Sequence, residues 1–523
     1  MDADSGSAAQ GLSSISERRK QVAAIFLKER IMLSPKALSE ICASKDPYTD
    51  SQQLKEFMLR HGIFVLDDKA LSLWKASKSE GTLDDALTAQ STKRPEGWSP
   101  RAKSLEAEFS ISLDGSDVTD KSKCKGTVKD FVDYFNDRYD RLAVQLKMMA
   151  TGSRFGRIRD VSSKQGASAT VIGMVYSKKM TKNGHLLFEI EDNETLAPVL
   201  VPKDAAFLSQ AQNIMEDEVV AFDVYSSNAL MIAKSFSLPG KMLMQKRKQL
   251  INKRASIVFL SDLHIGSRWF LQEQFSRFID FLNGKGTDEE REVAEDIKYI
   301  SIGGDLVDGI GVYPRQEREL VTKDIYAQYD SLCGFLKQIP EYMQIIMIPG
   351  NHDAVRVAEP QPALPLEFVR SAGNMENLHL AGNPSVHKIE GLSLLTYHGS
   401  SSDGWVSNHP ALRDGYENPQ KIAIEMLNCH HLSPRYGEDA VVPEPRDYMI
   451  IDSAPDIFHF GHVHKNGYVN DYNGTVIVNS GTFQDQTDFQ ISMGHQPTPC
   501  QVPIYQMNTG ELKVLNFMGE KHA

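Results

Sequence analysis

The chain has 523 residues, more than one hydrophobic core normally supports, so we expect two to four domains. It contains no run of about 18 apolar residues, which excludes a membrane-spanning segment, and its first residues lack the basic start and apolar core of a secretory signal. A net charge of −12 does not exclude a nucleic-acid partner, because association depends on local patches. We expect a multidomain cytoplasmic protein with reduced cysteines.

The first third of the chain is helical and polar in pattern. Apolar residues at helical spacing predict a small helical domain over residues 1–76. Residues 77–125 are polar without any period, which favours a flexible polar linker. A helical stripe returns over residues 127–149, so we predict a connecting helix within residues 126–160.

The next segment, residues 165–240, consists of short runs of β-branched and aromatic residues. Asn183-Gly184 lies between two such runs and is a strong hairpin signal, so the segment predicts a five-stranded OB-type barrel. Such a barrel binds single strands or serves as a platform for protein docking. Few aromatic residues here alternate with basic ones, as a stacking groove requires, and both interpretations stay open.

A basic run without any acid follows the predicted barrel. Its cations are Lys241, Lys246, Arg247, Lys248, Lys253 and Arg254. This run is either a solvated linker or a strip that contacts phosphates.

From residue 255 to 523, apolar strands alternate with helical stretches such as 271–282 and 319–338, which predicts an α/β layered domain. The predicted strands are SIVFL, KYISI, QIIMI, LSLLTYH, DIFHF and TVIVN. Nearly every strand runs directly into a cluster of Asp, Asn, His and Gly. Because ligands in α/β sheets lie beyond the carboxyl ends of the strands, we expect these clusters to converge on one rim.

The clusters combine carboxylates and imidazoles, a donor set that suits first-row divalent ions, and thiolates are absent from them. In chain order they are Asp262-Leu-His264, Gly304-Asp305-Leu-Val-Asp308, Gly350-Asn351-His352-Asp353, Tyr397-His398-Gly399 and Gly461-His462-Val-His464. Each fragment alone is a weak signal, since a lone histidine is more often packed in a core. Five fragments in order, each at the end of a strand, indicate a catalytic metal centre. We interpret His409 and His459 as structural.

This order resembles the calcineurin-like metallophosphoesterase superfamily, with its motifs D-x-H, G-D-x-x-D, G-N-H-D, H and G-H-x-H. The resemblance implies two divalent ions roughly 3.5 to 4 Å apart that activate a nucleophile and stabilise charge on a phosphate. It assigns Asp262, His264, Asp305 and His464 to one ion, and Asp305, Asn351, His398 and His462 to the other. It also implies that His352 assists the leaving 3′ oxygen while Asp353 holds the His352 ring. Manganese is the ion we expect, and iron, zinc or magnesium also suits this donor set.

A narrower resemblance covers residues 165–505. FLSDLHIGS, IPGNHDAVRVAEPQPA, FGHVHKNGY and NSGTFQDQTDFQ resemble the small subunits of archaeal family D DNA polymerases. The resemblance implies a 3′ to 5′ exonuclease that proofreads single-stranded or mispaired 3′ DNA ends for a separate large catalytic subunit, with the sliding clamp as a further partner. Phe483 stands where the family leads us to expect Trp, a departure that concerns packing.

Two other functions remain open. A non-catalytic architectural polymerase subunit is disfavoured because every predicted ligand is retained. For a free-standing phosphodiesterase, the N-terminal domain, helix and barrel would be surplus. The sequence does not locate a DNA track; Arg268, Arg356 and the run over 241–254 are candidates.

Overall fold

The fold is taken from a computed structural model of the chain. It describes residues 19–26, 31–44, 46–60, 65–66, 71, 74–75, 98–113, 115–149, 154–228, 230–240 and 247–519. Among the helices in these ranges, none combines the length and apolar character needed to cross a bilayer.

The described N-terminal residues are mainly helical and share a small core. The elements are a helical stretch over 19–26, strands β1 (Met32–Leu33) and β2 (Val65–Leu66), and helices α1 (Pro35–Cys42) and α2 (Pro47–Arg60). The Ser34 side chain caps α1 by accepting a hydrogen bond from the Ala37 N–H at 3.1 Å. Buried Phe26, Ile41 and Leu54 belong to one cluster. Residues 1–18 and most of 61–76 in the predicted helical domain lie outside the described residues.

The predicted linker is only partly covered, since residues 77–97 lie outside the described part of the chain. Residues 98–113 and 115–125 differ from a flexible linker because the C-terminal domain holds them. Arg101 Nε donates to Asp296 Oδ1 at 2.7 Å, and strand β3 (Phe109–Ser110) pairs with a strand of that domain. The Glu444 carboxylate accepts the Lys123 N–H at 2.9 Å. These long-range partners are invisible in the local composition.

Helix α3 (Val128–Met149) lies between the barrel and the C-terminal domain. Its Arg138 is fully buried, and Arg138 Nε donates to the buried Asp447 carboxylate at 2.8 Å. Leu142 and Leu146 pack with barrel residues in a shared cluster. The helix therefore joins the two domains through buried contacts.

The β-rich segment folds into a closed five-stranded barrel, in which the strands lie in the order β4-β5-β6-β8-β7 and β4 pairs with β7. The strands are β4 (Ser168–Met180), β5 (Leu186–Glu191), β6 (Leu196–Val201), β7 (Val219–Ser227) and β8 (Leu230–Ser237), with short helices α4 (Ile158–Ser163) and α5 (Leu208–Ala211). The predicted hairpin is present, and Gly184 adopts φ +83° in its turn. Phe188 and Phe222 fill the interior.

The C-terminal domain contains two six-stranded sheets, whereas the sequence led us to expect ligands at the rim of one sheet. The first has the order β12-β11-β10-β9-β18-β19 and the second β16-β17-β15-β14-β13-β3. The strands are β9 (Ser256–Leu260), β10 (Ile297–Gly303), β11 (Gln344–Ile348), β12 (Leu378–Leu380), β13 (Ser385–Ile389), β14 (Leu392–Tyr397), β15 (Ile457–Phe460), β16 (Asn466–Tyr472), β17 (Thr475–Ser480), β18 (Gln501–Gln506) and β19 (Glu511–Asn516).

Helices cover the outer face of each sheet, so the domain has four layers. The helices are α6 (Gln272–Leu282), α7 (Asp288–Ala294), α8 (Ile325–Leu336), α9 (Ser402–Asn408), α10 (Pro419–Cys429) and α11 (Asp488–Met493). Phe259 of the first sheet and Leu394 of the second belong to one buried cluster between the sheets. Helix α8 begins later than the predicted residue 319 because Asp324 caps it, accepting the Ala327 N–H at 3.0 Å.

Candidate metal centre

The polar clusters follow strands from both sheets, and the packing of the sheets brings them together. The first sheet supplies Asp262 and His264 after β9, Asp305 after β10, and Asn351 and His352 after β11; the second supplies His398 after β14, and His462 and His464 after β15. Because the parallel strands of both sheets present their carboxyl ends to the same region, these eight side chains converge.

The ligand-bearing loops turn unusually tightly. The turning residues share a left-handed backbone: Asp262 (φ 52°), His264 (φ 50°), Asp305 (φ 49°), His462 (φ 73°) and His464 (φ 54°). Non-glycine residues rarely adopt this conformation, and such strain concentrates at functional sites. Neighbouring glycines allow close approach. A Cβ on Gly350 would lie 2.2 Å from Asp305 Oδ1, and one on Gly461 would lie 2.6 Å from Asp262 Oδ2.

One group of donors consists of Asp262, His264 and His464, whose ligand atoms lie within 4.8 Å of one another. His264 Nε2 lies 3.0 Å from His464 Nε2, and His464 Nε2 lies 3.5 Å from Asp262 Oδ1. Asp305 Oδ2 lies 3.7 Å from His264 Nε2. All four side chains are buried, so this group matches the set predicted for one ion.

A second group surrounds the other oxygen of Asp305. His398 Nε2 lies 3.4 Å from Asp305 Oδ1 and 2.9 Å from Asn351 Oδ1. His462 Nδ1 lies 3.1 Å from the same Asn351 oxygen. Asp305 thus has one carboxylate oxygen toward each group, which is the arrangement a bridging ligand requires.

Hydrogen bonds outside the two groups fix the histidine rings. His398 Nδ1 donates to the Gly303 carbonyl at 2.9 Å, which leaves Nε2 free to act as a ligand. His462 Nε2 lies 3.3 Å from the Asp403 carboxylate, which leaves Nδ1 facing Asn351. The protein itself therefore fixes the orientation of the His398 and His462 rings.

His264 and His352 share a partner, Asp308, to which the sequence analysis assigned no role. Its carboxylate Oδ1 lies 3.1 Å from His264 Nδ1, and its backbone carbonyl accepts from His352 Nδ1 at 2.8 Å. The two rings meet edge to face with centroids 4.7 Å apart. His352 Nε2 is consequently the ring nitrogen that Asp308 does not engage.

The prediction that Asp353 holds the His352 ring differs from the structure, since Asp308 has that position. The Asp353 carboxylate instead accepts hydrogen bonds from the Leu306 N–H at 3.2 Å, the Gly350 N–H at 2.8 Å and the Tyr329 hydroxyl at 2.9 Å. Asp353 therefore ties together the two loops that carry Asp305 and Asn351. Its effect on the site is indirect.

The buried ionisable groups of the centre shift one another's pKa values. Burial alone would raise the pKa of Asp305, but the His398 and His352 rings hold it well below its usual range. Burial alone would lower the pKa of His398. The neighbouring Asp305 carboxylate has the larger, opposite effect and raises the pKa of His398 to about 10. Burial raises the pKa of Asp262. Buried carboxylates and imidazoles that face one another in this way fit a site for divalent cations.

Several supporting residues were missed at the sequence level. Asp308 had a local signal, as the second acid of G-D-x-x-D. Asp403 and Gln490 had no such signal, because they lie on helices α9 and α11, away in sequence from the strand-end clusters. Gln490 Nε2 lies 2.8 Å from His464 Nδ1. Phe483 is buried, and its ring packs 5.0 Å from the Phe275 ring, in keeping with a departure that concerns packing.

The candidate cations for a DNA track are largely engaged within the protein. In the basic run, Lys248 donates to Asn470 Oδ1 at 2.9 Å, and Arg254 Nε lies 2.9 Å from Asp296 Oδ2. Residues 241–246 lie outside the described residues. Arg356 Nη1 lies 3.3 Å from Glu444 Oε1. Arg268 Nη2 lies 2.9 Å from Asp488 Oδ2, on the helix that carries Gln490.

Comparison with known proteins is consistent with this geometry. Residues 255–466 match the family model described as calcineurin-like phosphoesterase. The chain is 43% identical to the DNA polymerase II small subunit of Methanocaldococcus jannaschii, over 78% of this chain and 68% of the relative. It is 34% identical to the protein of that name from Methanothermobacter thermautotrophicus, and the match covers 94% of this chain and 98% of that relative. It is 35% identical to the protein of that name from Archaeoglobus fulgidus, and the match covers 95% of this chain and 98% of that relative.

Proposed function

From the premise that this chain belongs to the family of archaeal DNA polymerase II small subunits and carries a calcineurin-like phosphoesterase domain, we propose that it is a proofreading nuclease. It would remove nucleotides from single-stranded or mispaired 3′ DNA ends in the 3′ to 5′ direction. The observation that carries this proposal is the retention of a full donor set on both sides of Asp305, with His352 beside it. A purely architectural subunit has no need of these buried, strained side chains.

Asp262, His264, Asp305 and His464 would hold one divalent ion, and Asp305, Asn351, His398 and His462 the other. When bound, two such ions supply positive charge beside the phosphate and promote deprotonation of an attacking water. Manganese is our proposed ion, because a mixed carboxylate, amide and imidazole set suits it; iron, zinc and magnesium are the alternatives. The chain contributes fixed ring orientations through Asp308, Gly303 and Asp403.

His352 would act on the leaving 3′ oxygen. The Asp308 carbonyl accepts a hydrogen bond from Nδ1, so Nε2 is the atom that can deliver a proton or a hydrogen bond to substrate. Burial lowers the pKa of His352 in the protein alone. An incoming phosphate adds negative charge beside the ring and favours its protonated form. Asp353 would support catalysis only by fixing the two loops it bridges.

The remaining domains would serve an assembly. We propose that the closed barrel is of the OB type and that it docks, together with the phosphoesterase domain, the large polymerase subunit. The N-terminal helical residues would form a small domain of their own, and the sliding clamp is a further proposed partner. The subunit would act in the cytoplasm on DNA with a 3′ end.

The test uses the purified full chain with Mn²⁺ and a 5′-labelled single-stranded oligonucleotide. We expect shortening from the 3′ end, and His352→Ala should reduce the rate by roughly 100-fold or more while keeping its bound metal. His379→Ala is a matched control, since His379 is a half-buried histidine on edge strand β12. Wild-type rates in His352→Ala would show that the assigned role is wrong.

A further inference from the structure

Helix α11 presents apolar side chains to solvent at the edge of the metal centre. Phe489 is 61% exposed, and Ile491 and Met493 are each 58% exposed. None of the six residues of α11 is buried. Large apolar side chains exposed together beside a polar site are typical of a binding surface rather than of solvent-facing structure.

The helix is fixed to the centre through Gln490. The Gln490 amide accepts the Thr487 N–H through Oε1 at 3.1 Å, and its Nε2 lies 2.8 Å from His464 Nδ1. The Thr487 hydroxyl accepts the Gln490 N–H at 3.2 Å and completes the cap. The position of α11 is therefore coupled to a proposed metal ligand, and the helix lies at the border of the metal centre.

The exposed residues do not all lie on one face. Phe489 and Met493 are one turn apart and share a face, while Ile491 is rotated by roughly 200° from Phe489. Phe489 directly precedes Gln490, the residue that contacts His464, so Phe489 lies on the helix that borders the metal centre. Arg268 is paired with Asp488 of the same helix, with its guanidinium 2.9 Å from the carboxylate.

We propose that Phe489, supported by Met493, is a stacking surface for the unpaired base next to the phosphate being cleaved. This inference rests on the proposed nuclease function. Every base has an aromatic face, so stacking binds single strands without regard to sequence. A base within a duplex is already stacked on its neighbours, and the surface would therefore favour frayed or mispaired ends.

The test measures binding and cleavage separately in the full chain. The first readout is fluorescence anisotropy of a labelled ten-nucleotide oligo-dT with Ca²⁺ in place of Mn²⁺, so that binding is read without turnover. Phe489→Ala should raise the Kd roughly tenfold, because one stacked base is lost, whereas Phe489→Tyr should bind like the wild type. Ile491→Ala, on another face of α11, is the matched control and should change the Kd by less than about twofold.

An oligonucleotide with abasic sites at its 3′ end distinguishes stacking from a structural effect. It should bind Phe489→Ala and wild type equally, since it offers no base to stack. A tenfold loss with this probe as well would overturn the proposal, as would unchanged oligo-dT binding by Phe489→Ala. Loss of large-subunit co-purification in Phe489→Ala with oligo-dT binding intact would assign α11 to a protein interface and also overturn it. If the wild type did not cleave DNA but its oligo-dT binding still depended on Phe489, the result would contradict the nuclease function and leave the stacking surface supported.

Discussion

The carboxylate of Asp308 lies 3.1 Å from Nδ1 of His264, with the side chains of both residues buried. A carboxylate in this position holds the ring so that Nε2 faces the metal centre, and it increases the basicity of that nitrogen. Asp308 is thus a supporting residue of the metal centre although it is not a proposed ligand.

Asp308→Asn should weaken Mn²⁺ binding by roughly 10- to 100-fold, because the ring of His264 loses a charged partner. Isothermal titration with Mn²⁺ measures this affinity. Cleavage at saturating Mn²⁺ should recover most of the wild-type rate, since the backbone carbonyl that holds His352 is retained. Wild-type Mn²⁺ affinity in the variant would contradict the role of Asp308.

Asp353→Asn should destabilise the fold by about 1–3 kcal/mol. The carboxylate accepts three hydrogen bonds through two oxygens, and Asn replaces one of these oxygens with an N–H₂ group, so one donor loses its acceptor. Urea denaturation measures the change. Tyr329→Phe removes one donor, and in the double variant the two losses should not add, as both act on one hydrogen bond. Additive losses would mean that Asp353 and Tyr329 stabilise the protein independently.

The buried Arg138–Asp447 pair should be essential for the junction of α3 with the C-terminal domain. Arg138→Met leaves the Asp447 carboxylate buried beside His431 without its cation, so we expect a loss of roughly 3–5 kcal/mol in unfolding free energy. The exposed Lys129–Asp133 pair on the same helix is the control, and Lys129→Ala should cost less than about 0.5 kcal/mol. Equal losses in the two variants would contradict a special role for the buried pair.

Acid should destabilise the protein in part through His387. This ring is fully buried, and burial lowers its pKa to about 4. The Ser112 N–H donates to His387 Nδ1 at 3.2 Å, a hydrogen bond that the protonated ring cannot accept. The unfolded ring titrates near 6.5, so its contribution to stability is complete above pH 6.5 and is lost as the pH falls toward 4.

Unfolding free energies at pH 7 and pH 4.5 measure this effect. Relative to His387→Gln, the wild type should lose about 2 to 3 kcal/mol between the two values, because Gln does not titrate. A constant difference between wild type and His387→Gln across this range would show that His387 does not titrate with unfolding.

The sequence was most informative where strands run into polar clusters. Runs such as SIVFL and QIIMI predicted buried strands, and the residues after them converge as expected. The second sheet could not be foreseen, since strand order depends on long-range pairing, as between β3 and β13. The family resemblance implied that Asp353 holds the His352 ring, whereas the backbone carbonyl of Asp308 lies in that place.

The count of bound metal ions tests the central claim most directly. The 523-residue chain, reconstituted with Mn²⁺ and freed of excess metal, should contain two ions per chain by elemental analysis. Asp305→Ala removes the carboxylate that faces both donor groups and should bind fewer than one, while His379→Ala should keep two. Wild-type protein without bound metal, or an Asp305→Ala variant that retains both ions, would contradict the account.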